Sequence, residues 1–372
     1  MGCGLNSIKS TTYSTTLVKH IIEANLALPS PQVKSIVVEE DNAGQRLDNF
    51  LMRELKGVPK THVYRIIRSG EVRVNKGRAS ADTRLQGGDV VRLPPVRVSE
   101  RAAEKTQAMV DHMAHAAAGH IPAKDFTILF EDEHFLALNK PAGVAVHGGS
   151  GVSFGVIEQL RMARPGAHFL ELVHRLDRET SGILLVAKRR SALKALQNQF
   201  RERETGKTYL AVVLGQWPDN KKVLDKSLHK YLLPGKGGAE GERRVKVVAK
   251  DHPDAMPSLT LVKLRATRAD PDYSLLEVTI KTGRTHQIRV HLASEGMPIV
   301  GDDKYGDFEH NKALARADAT PQLKRMFLHA WRFQCSHPAT GKRVQLQADL
   351  PYELTQFLVQ HLPGTVTPTP HE

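Results

Sequence analysis

The stretch HRLDRETSG, residues 174–182, places one acid, Asp177, among His174, Arg175 and Arg178. Nearby positive charge favours an ionised carboxylate, and such a group can act as nucleophile, base or electrostatic stabiliser. Taken alone, the same residues also describe a structural ion pair or a turn. A second cluster, GRTHQIR at 283–289, supplies Arg284, His286 and Arg289. Any of these could hold a carboxylate through a charge-assisted hydrogen bond. Tyr209, near the start of TYLAVVLG, offers a ring that can stack on a base and a hydroxyl that can carry a proton. Metal chemistry fits less well. His286 and His291 are five residues apart, whereas four would put two ligands on one helix face, and His147, His174 and His329 are scattered. The glycine loop AVHGGSG lacks the GK[ST] ending of a phosphate-cradling loop, and no GxGxxG accompanies a β-α alternation. Ser181 has no evident triad partner, and TSG reads as a turn before a strand.

These residues need elements to hold them. ELV at 171–173 and ILLVAK at 183–188 read as strands, so Asp177 lies on a loop between rigid elements, where chemistry tends to sit. Further strands are expected at 128–132, 135–141, 208–215, 259–268, 274–280, 327–335 and 343–350. Helices are expected at 154–164 and 191–203. The run 283–292 is expected to extend the strands and to turn helical after Thr285. Residues 218–256 read as polar and irregular, with a loop at 235–244, and GDDKYGD at 301–307 reads as a turn-rich loop. Many strands per helix, often adjacent, imply an α+β fold with a mostly antiparallel sheet.

Ahead of this lies a smaller module. Leu47, Phe50, Leu51 and Leu55 follow at helical spacing, and a second helix at 61–68 turns Val63, Ile66 and Ile67 inward before Gly70. EVRVN and GDVVRL read as strands. Between residues 41 and 98 there are 12 Lys or Arg against 6 Asp or Glu. Lys60, Arg65, Arg68, Arg73 and Lys76 lie off the apolar faces and form a stripe suited to a phosphate backbone. The whole chain agrees with that sign: 372 residues carry a net charge of +13 and a pI near 9.7. Its 40% hydrophobic content suits globular domains with a substantial core. Cys3 and Cys335 cannot form a disulfide framework or a cysteine-based zinc site, which implies a reducing compartment. The apolar runs are too short to span a bilayer. MGCGLNS departs from a myristoylation signal at Asn6, and residues 1–34 contain no Arg, unlike a transit peptide. Together these point to a cytoplasmic protein.

LNKPAGVAVHGG, HRLDRETSG, KTYLAVVLG, TGRTHQIRVH, GDDKYGD and FLHA, in that order, resemble the RluA-type RNA pseudouridine synthases. Residues 41–98 resemble the small S4 RNA-binding domain that precedes some of them. The resemblance covers about residues 36–362 and implies an α+β fold: an S4 domain, then a mostly antiparallel mixed-sheet catalytic domain with a central cleft. The implied boundaries are an extension at 1–35, the S4 domain at 36–98, a linker at 99–122, the catalytic domain at 123–363 and a tail at 364–372. The resemblance implies isomerisation of uridine to pseudouridine in large-subunit ribosomal RNA, by a monomer without metal or cofactor and without an obligate protein partner. It makes Asp177 the catalytic aspartate and Arg289 its ion-pair partner. It sets Tyr209 against the target uracil as acceptor of the C5 proton, and gives Arg175 to displacing the nucleotide. His174, next to Arg175, is expected to contact the RNA. Whether Asp177 attacks C1′ or acts as a base stays open. The extension and a long segment near 251–257 depart from the family core. Two rivals remain: a sister enzyme with other rRNA or tRNA targets, and a non-catalytic RNA-binding assembly protein.

Overall fold

The computed structural model describes residues 33–95 and 126–365, apart from 56, 57, 59, 149–154, 165, 168, 234–241, 271 and 317. Most of the expected extension, the linker at 99–122 and most of the loop at 235–244 fall outside the described residues. The chain divides between His120 and Ile121 into two compact units.

In the first unit, α1 (Leu47–Glu54) and α2 (Lys60–Arg68) pack over a sheet of β1 (Lys34–Val37), β2 (Arg73–Val74), β3 (Gly77–Arg78) and β4 (Val90–Leu93), ordered β1-β4-β2-β3. The apolar stripe read from sequence is the core: Leu47, Phe50, Leu51, Val63, Ile66 and Ile67 are buried together with Leu85 and Val91. Gly70 closes the second helix at φ 73°, the left-handed region that costs glycine nothing. Strands β1 and β3 were not expected. They are short and mostly exposed, so they show no apolar alternation.

The second unit is built on β5 (Ile128–Glu131), β6 (Phe135–Lys140), β7 (Glu171–Leu172), β8 (Ser181–Ala187), β9 (Gly206–Leu214), β10 (Val223–Asp225), β13 (Leu259–Ala269), β14 (Asp272–Ile280), β15 (Leu328–Ser336) and β16 (Arg343–Gln347). Eight run in the order β10-β13-β14-β9-β15-β8-β6-β5, with β16 on β15 and β7 on β8. Neighbours are antiparallel except β15 and β8, which meet in parallel at His329–Ser181 and Ala330–Gly182. Every residue of β8 is buried. Side chains of a strand alternate between faces. Ile183, Leu185 and Ala187 accordingly join one apolar cluster, and Leu184 and Val186 join another. The first is closed by Leu196 of α4 (Arg190–Glu202). The second is filled from α3 (Val156–Ala163), α5 (Gln287–Ala293) and α7 (Tyr352–His361). No helix among the described residues is long and apolar enough to cross a membrane.

Three expectations need correction. Residues 218–256 are not irregular: β10 joins the main sheet, and β11 (Ser227–Leu233) pairs with β12 (Glu242–Val248) as a separate two-stranded ribbon. Its residues alternate with charged, half-exposed ones, which masks the strand pattern. The run at 283–286 is a turn rather than strand, because His286 caps α5 in the left-handed conformation at φ 51°. Helices α6 (Phe308–Leu314) and α7 were not foreseen.

Candidate active site

The sheet order sets β9, β15 and β8 side by side. Tyr209 on β9 pairs across to Ala330, and Ser181 at the head of β8 pairs to His329. The loop carrying Asp177 enters β8 at this point. Gly182 permits the close approach: at φ 111°, a Cβ there would lie 2.3 Å from the Ala330 carbonyl oxygen. Lys140, fully buried, fastens the loop from below. Its ammonium donates to the carbonyls of Pro141 at 2.7 Å, Val144 at 2.8 Å and Arg178 at 3.0 Å. Three donors on three carbonyls tie the buried ammonium to the loop backbone.

Above this base, Asp177 keeps 27% of its side chain exposed. Nη1 of Arg289 lies 3.5 Å from its Oδ2, and Nε2 of His286 lies 3.9 Å from the same oxygen. The expected pairing of Asp177 with Arg289 is thus an ion pair, while the arginine's hydrogen bonds go elsewhere. Nε and Nη2 donate to the two oxygens of Asp302, each at 2.7 Å, and Nη2 also donates to Asp303 at 2.8 Å. Burial by itself would lower the Arg289 pKa; the hydrogen bonds and charge of Asp302, then the charges of Asp177 and Asp303, raise it instead. Burial likewise works against ionised Asp302, and the Arg289 hydrogen bonds outweigh it, holding that carboxyl below its usual range. His286 is pushed down by burial against the opposing pull of Asp177, so its imidazole is neutral at pH 7. Tyr209 is buried, and burial together with the Asp177 charge raises its phenol above the ordinary value. That hydroxyl is therefore protonated in the resting site.

Two residues off the Asp177 loop behave differently from each other. Arg175 is exposed, with no hydrogen-bonding or ionic partner for its guanidinium among the described residues. His174 is stacked against Phe200 at 5.0 Å and Phe333 at 6.2 Å, and its Nε2 accepts the Leu185 N–H at 3.2 Å. Burial, then the charge of Lys207, pushes it down to about 4. A neutral ring already spent on the backbone anchors the loop and offers no charge to phosphate, against the expectation of an RNA contact. Arg284 turns away from Asp177 and donates to the Pro257 carbonyl at 3.2 Å. Ser181 does find a histidine, with its Oγ 2.8 Å from His329 Nδ1. Both are fully buried, and the other ring nitrogen faces the Ala348 carbonyl at 3.2 Å, so this is a structural relay without the acid of a triad.

In the first unit Arg65, Arg68 and Lys76 are exposed and Arg73 is half-buried; the Lys60 side chain lies outside the described residues. Arg73 stands opposite Arg78 on one side and Arg92 on the other, which makes a row of three guanidinium groups across adjacent strands.

One group of described residues comes close enough to share an ion: His229, His252 and Asp254, with donor atoms within 4.8 Å. Nδ1 of His252 already accepts the Asp254 N–H at 3.1 Å, which leaves the ring proton on Nε2. A ligating imidazole instead donates its second ring N–H, so the set does not read as a metal centre.

The sequence missed Asp302, Asp303 and Tyr305 as site residues. Their signal was present in GDDKYGD, whose acids precede a tyrosine, but turn chemistry explained the run equally well.

Residues 134–294 match the RNA pseudouridylate synthase family, and residues 45–91 match the S4 domain. The ribosomal large subunit pseudouridine synthase C of Escherichia coli K12 is 49% identical over 329 residues, which cover 88% of this chain and 97% of the relative. The protein of that name from Salmonella typhi gives the same figures. That from Pasteurella multocida is 47% identical over 327 residues, 88% of this chain and 93% of its own.

Proposed function

The chain belongs to the RNA pseudouridylate synthase family, and we propose that its substrate is large-subunit ribosomal RNA and that Asp177 is its nucleophile. The observation that carries the reading is the arrangement at Asp177. A half-exposed carboxylate faces Arg289 at 3.5 Å, beside a buried tyrosine whose phenol feels its charge. The substrate follows from relatives named for the large ribosomal subunit that match nearly the whole chain.

In this reading the N1–C1′ bond of a uridine breaks, the base turns, and C5 bonds to C1′. C5 gives up a proton and N1 gains one, so the isomerisation balances without a redox partner. Asp177 supports C1′ while the glycosidic bond is open. Tyr209 stacks on the uracil; as its oxygen takes the C5 proton its own hydroxyl proton passes on, and N1, which gains one, is where that proton ends. A base inside folded RNA has to be flipped out, at a cost of a few kcal/mol. In this reading Arg175, exposed and two residues from Asp177, fills the gap. The arginine row of the S4 domain and its exposed cations hold the RNA backbone. The two cysteines suit a reducing compartment, and in this reading the protein works in the cytoplasm as a monomer.

The test is tritium release from unmodified 23S ribosomal RNA labelled at uridine C5. Native protein should release tritium, and Asp177→Ala should lose at least about 10⁴-fold in rate while still binding the RNA. Release by Asp177→Ala would remove Asp177 from the chemistry. No release by the native protein would mean that the target lies in another RNA or that the protein only binds, and a binding assay on the same RNA separates the two.

A further inference from the structure

The turn at residues 301–307 reaches both side chains that face Asp177, the Arg289 guanidinium and the His286 imidazole. Asp302 is 1% exposed and its carboxylate is saturated. Beyond the two Arg289 bonds, its Oδ1 accepts the N–H of Lys304 at 2.8 Å and of Tyr305 at 3.0 Å. It therefore has no oxygen left for substrate. The turn itself is pinned: Asn311 accepts the Gly301 N–H at 2.7 Å and donates to the Asp302 carbonyl at 2.9 Å. Three residues on, the Tyr305 ring lies 5.3 Å from the Arg289 guanidinium and edge-on to His286 at 5.6 Å. Its hydroxyl oxygen accepts the Val245 N–H at 3.0 Å. The hydroxyl proton is then free to go to His286 Nδ1, 2.8 Å away. Once Nδ1 accepts, the ring proton sits on Nε2, the atom 3.9 Å from Asp177. His286 caps α5 in the left-handed region at φ 51°, which sets where its ring leaves the backbone.

We propose that Asp302 and Tyr305 are positioning residues for the isomerisation: one turn braces Arg289 through Asp302 and His286 through Tyr305, and the two braced side chains fix Asp177. The proposal rests on Asp177 being the nucleophile. Its physical basis is the short tolerance of catalysis for displacement. A group held about 0.5 Å from its productive place still works, whereas a shift near 1 Å costs about 100-fold. The two buried hydrogen bonds to Asp302, with the one from Nη2 to Asp303, engage Nε and Nη2 and leave Nη1 turned to Asp177.

The experiment measures single-turnover tritium release and RNA affinity by filter binding, with the full-length chain, for Tyr305→Phe, His286→Gln, their double variant, Asp302→Asn and Asp177→Ala. Tyr305→Phe keeps the ring, its packing and its place over Arg289, so the fold survives even where Asp302→Asn weakens it. Tyr305→Phe and His286→Gln should each slow the chemical step by about tenfold, with RNA affinity held within about threefold. Their double variant should be no slower than the slower single, because both remove one interaction. Asp302→Asn should slow the step by about 100-fold. Losses that multiply in the double variant, losses of affinity in place of rate, or a native rate in Tyr305→Phe would each overturn the brace. A silent Asp177→Ala beside a native-rate Tyr305→Phe would sink the brace alone; an active Asp177→Ala would sink the nucleophile reading beneath it.

Discussion

The two units hold their cations in opposite ways. In the catalytic unit Arg289 is 3% exposed, bonded to two carboxylates and turned toward a third. In the S4 unit Arg65, Arg68 and Lys76 stand in water, and Arg73, Arg78 and Arg92 lie side by side on neighbouring strands. Like charges directly opposite one another on a sheet are destabilising, so that row is stable only because it is solvated or because an anion sits over it. A buried charge must be paired, and pairing fixes its geometry. An exposed charge keeps its freedom and attracts phosphate at long range, a pull that salt screens. The first arrangement suits a chemical step, the second suits capture of a long polyanion.

The sharpest way to break this contrast is Arg289→Ala. It strips Asp177 of its facing cation and leaves Asp302 buried without its partner, a loss that commonly costs 3–5 kcal/mol of stability. Turnover should fall by about 10²–10³-fold in the folded fraction, while RNA affinity stays near native. Arg289→Lys should recover little, because an ammonium cannot fork across both Asp302 oxygens. Steady-state tritium release alongside filter binding checks this. An affinity defect with intact chemistry would make Arg289 a phosphate contact and erase the distinction between the units.

How much of this was legible follows the same division. The strands that hold Asp177 and Tyr209 could be read because ILLVAK and TYLAVVLG are short, evident apolar runs. The helices of the S4 unit could be read because Leu47, Phe50 and Leu51, then Val63, Ile66 and Ile67, repeat at helical spacing. The Asp302 fork could not, since its partner is thirteen residues away across a helix and a turn, and nothing local tells an acid that bonds Arg289 from one that caps a turn. His174 misled for a related reason. Beside Arg175 it looked cationic; burial against Phe200 and Phe333, brought in by α4 and β15, and then the charge of Lys207 make it neutral. Strands β11 and β12 hid because a two-stranded ribbon buries too little for an apolar alternation to stand out.

A smaller effect should follow from removing residues 1–98. The catalytic unit keeps every residue placed at Asp177, so single-turnover release at saturating RNA should stay within a few-fold of native. Affinity should fall, and the plot of log affinity against log salt should flatten, because each lost phosphate contact removes a slope of about 0.7–0.9. Affinity measured from low to moderate salt checks both. An unchanged slope would mean that the S4 cations do not touch the backbone and that the second unit captures its RNA alone.

The finest test is one residue at the tip of the S4 hairpin. Val74 pairs with Gly77, so Asn75 and Lys76 form a two-residue turn, with φ of 49° and 67°. A turn with both central residues at positive φ favours Asn followed by Gly. Asn75 fits; a lysine at the second place is strained by roughly 1 kcal/mol. For stability alone glycine is the better residue, so the charge at the tip is what the lysine adds. Lys76→Gly should therefore melt no earlier than native, bind RNA a few-fold more weakly, and lower the salt slope by about 1. Lys76→Arg should keep the slope. A glycine variant that is more stable and binds normally at every salt would leave the strained lysine without a purpose, and would shift the contact to the arginine row on the strands behind it.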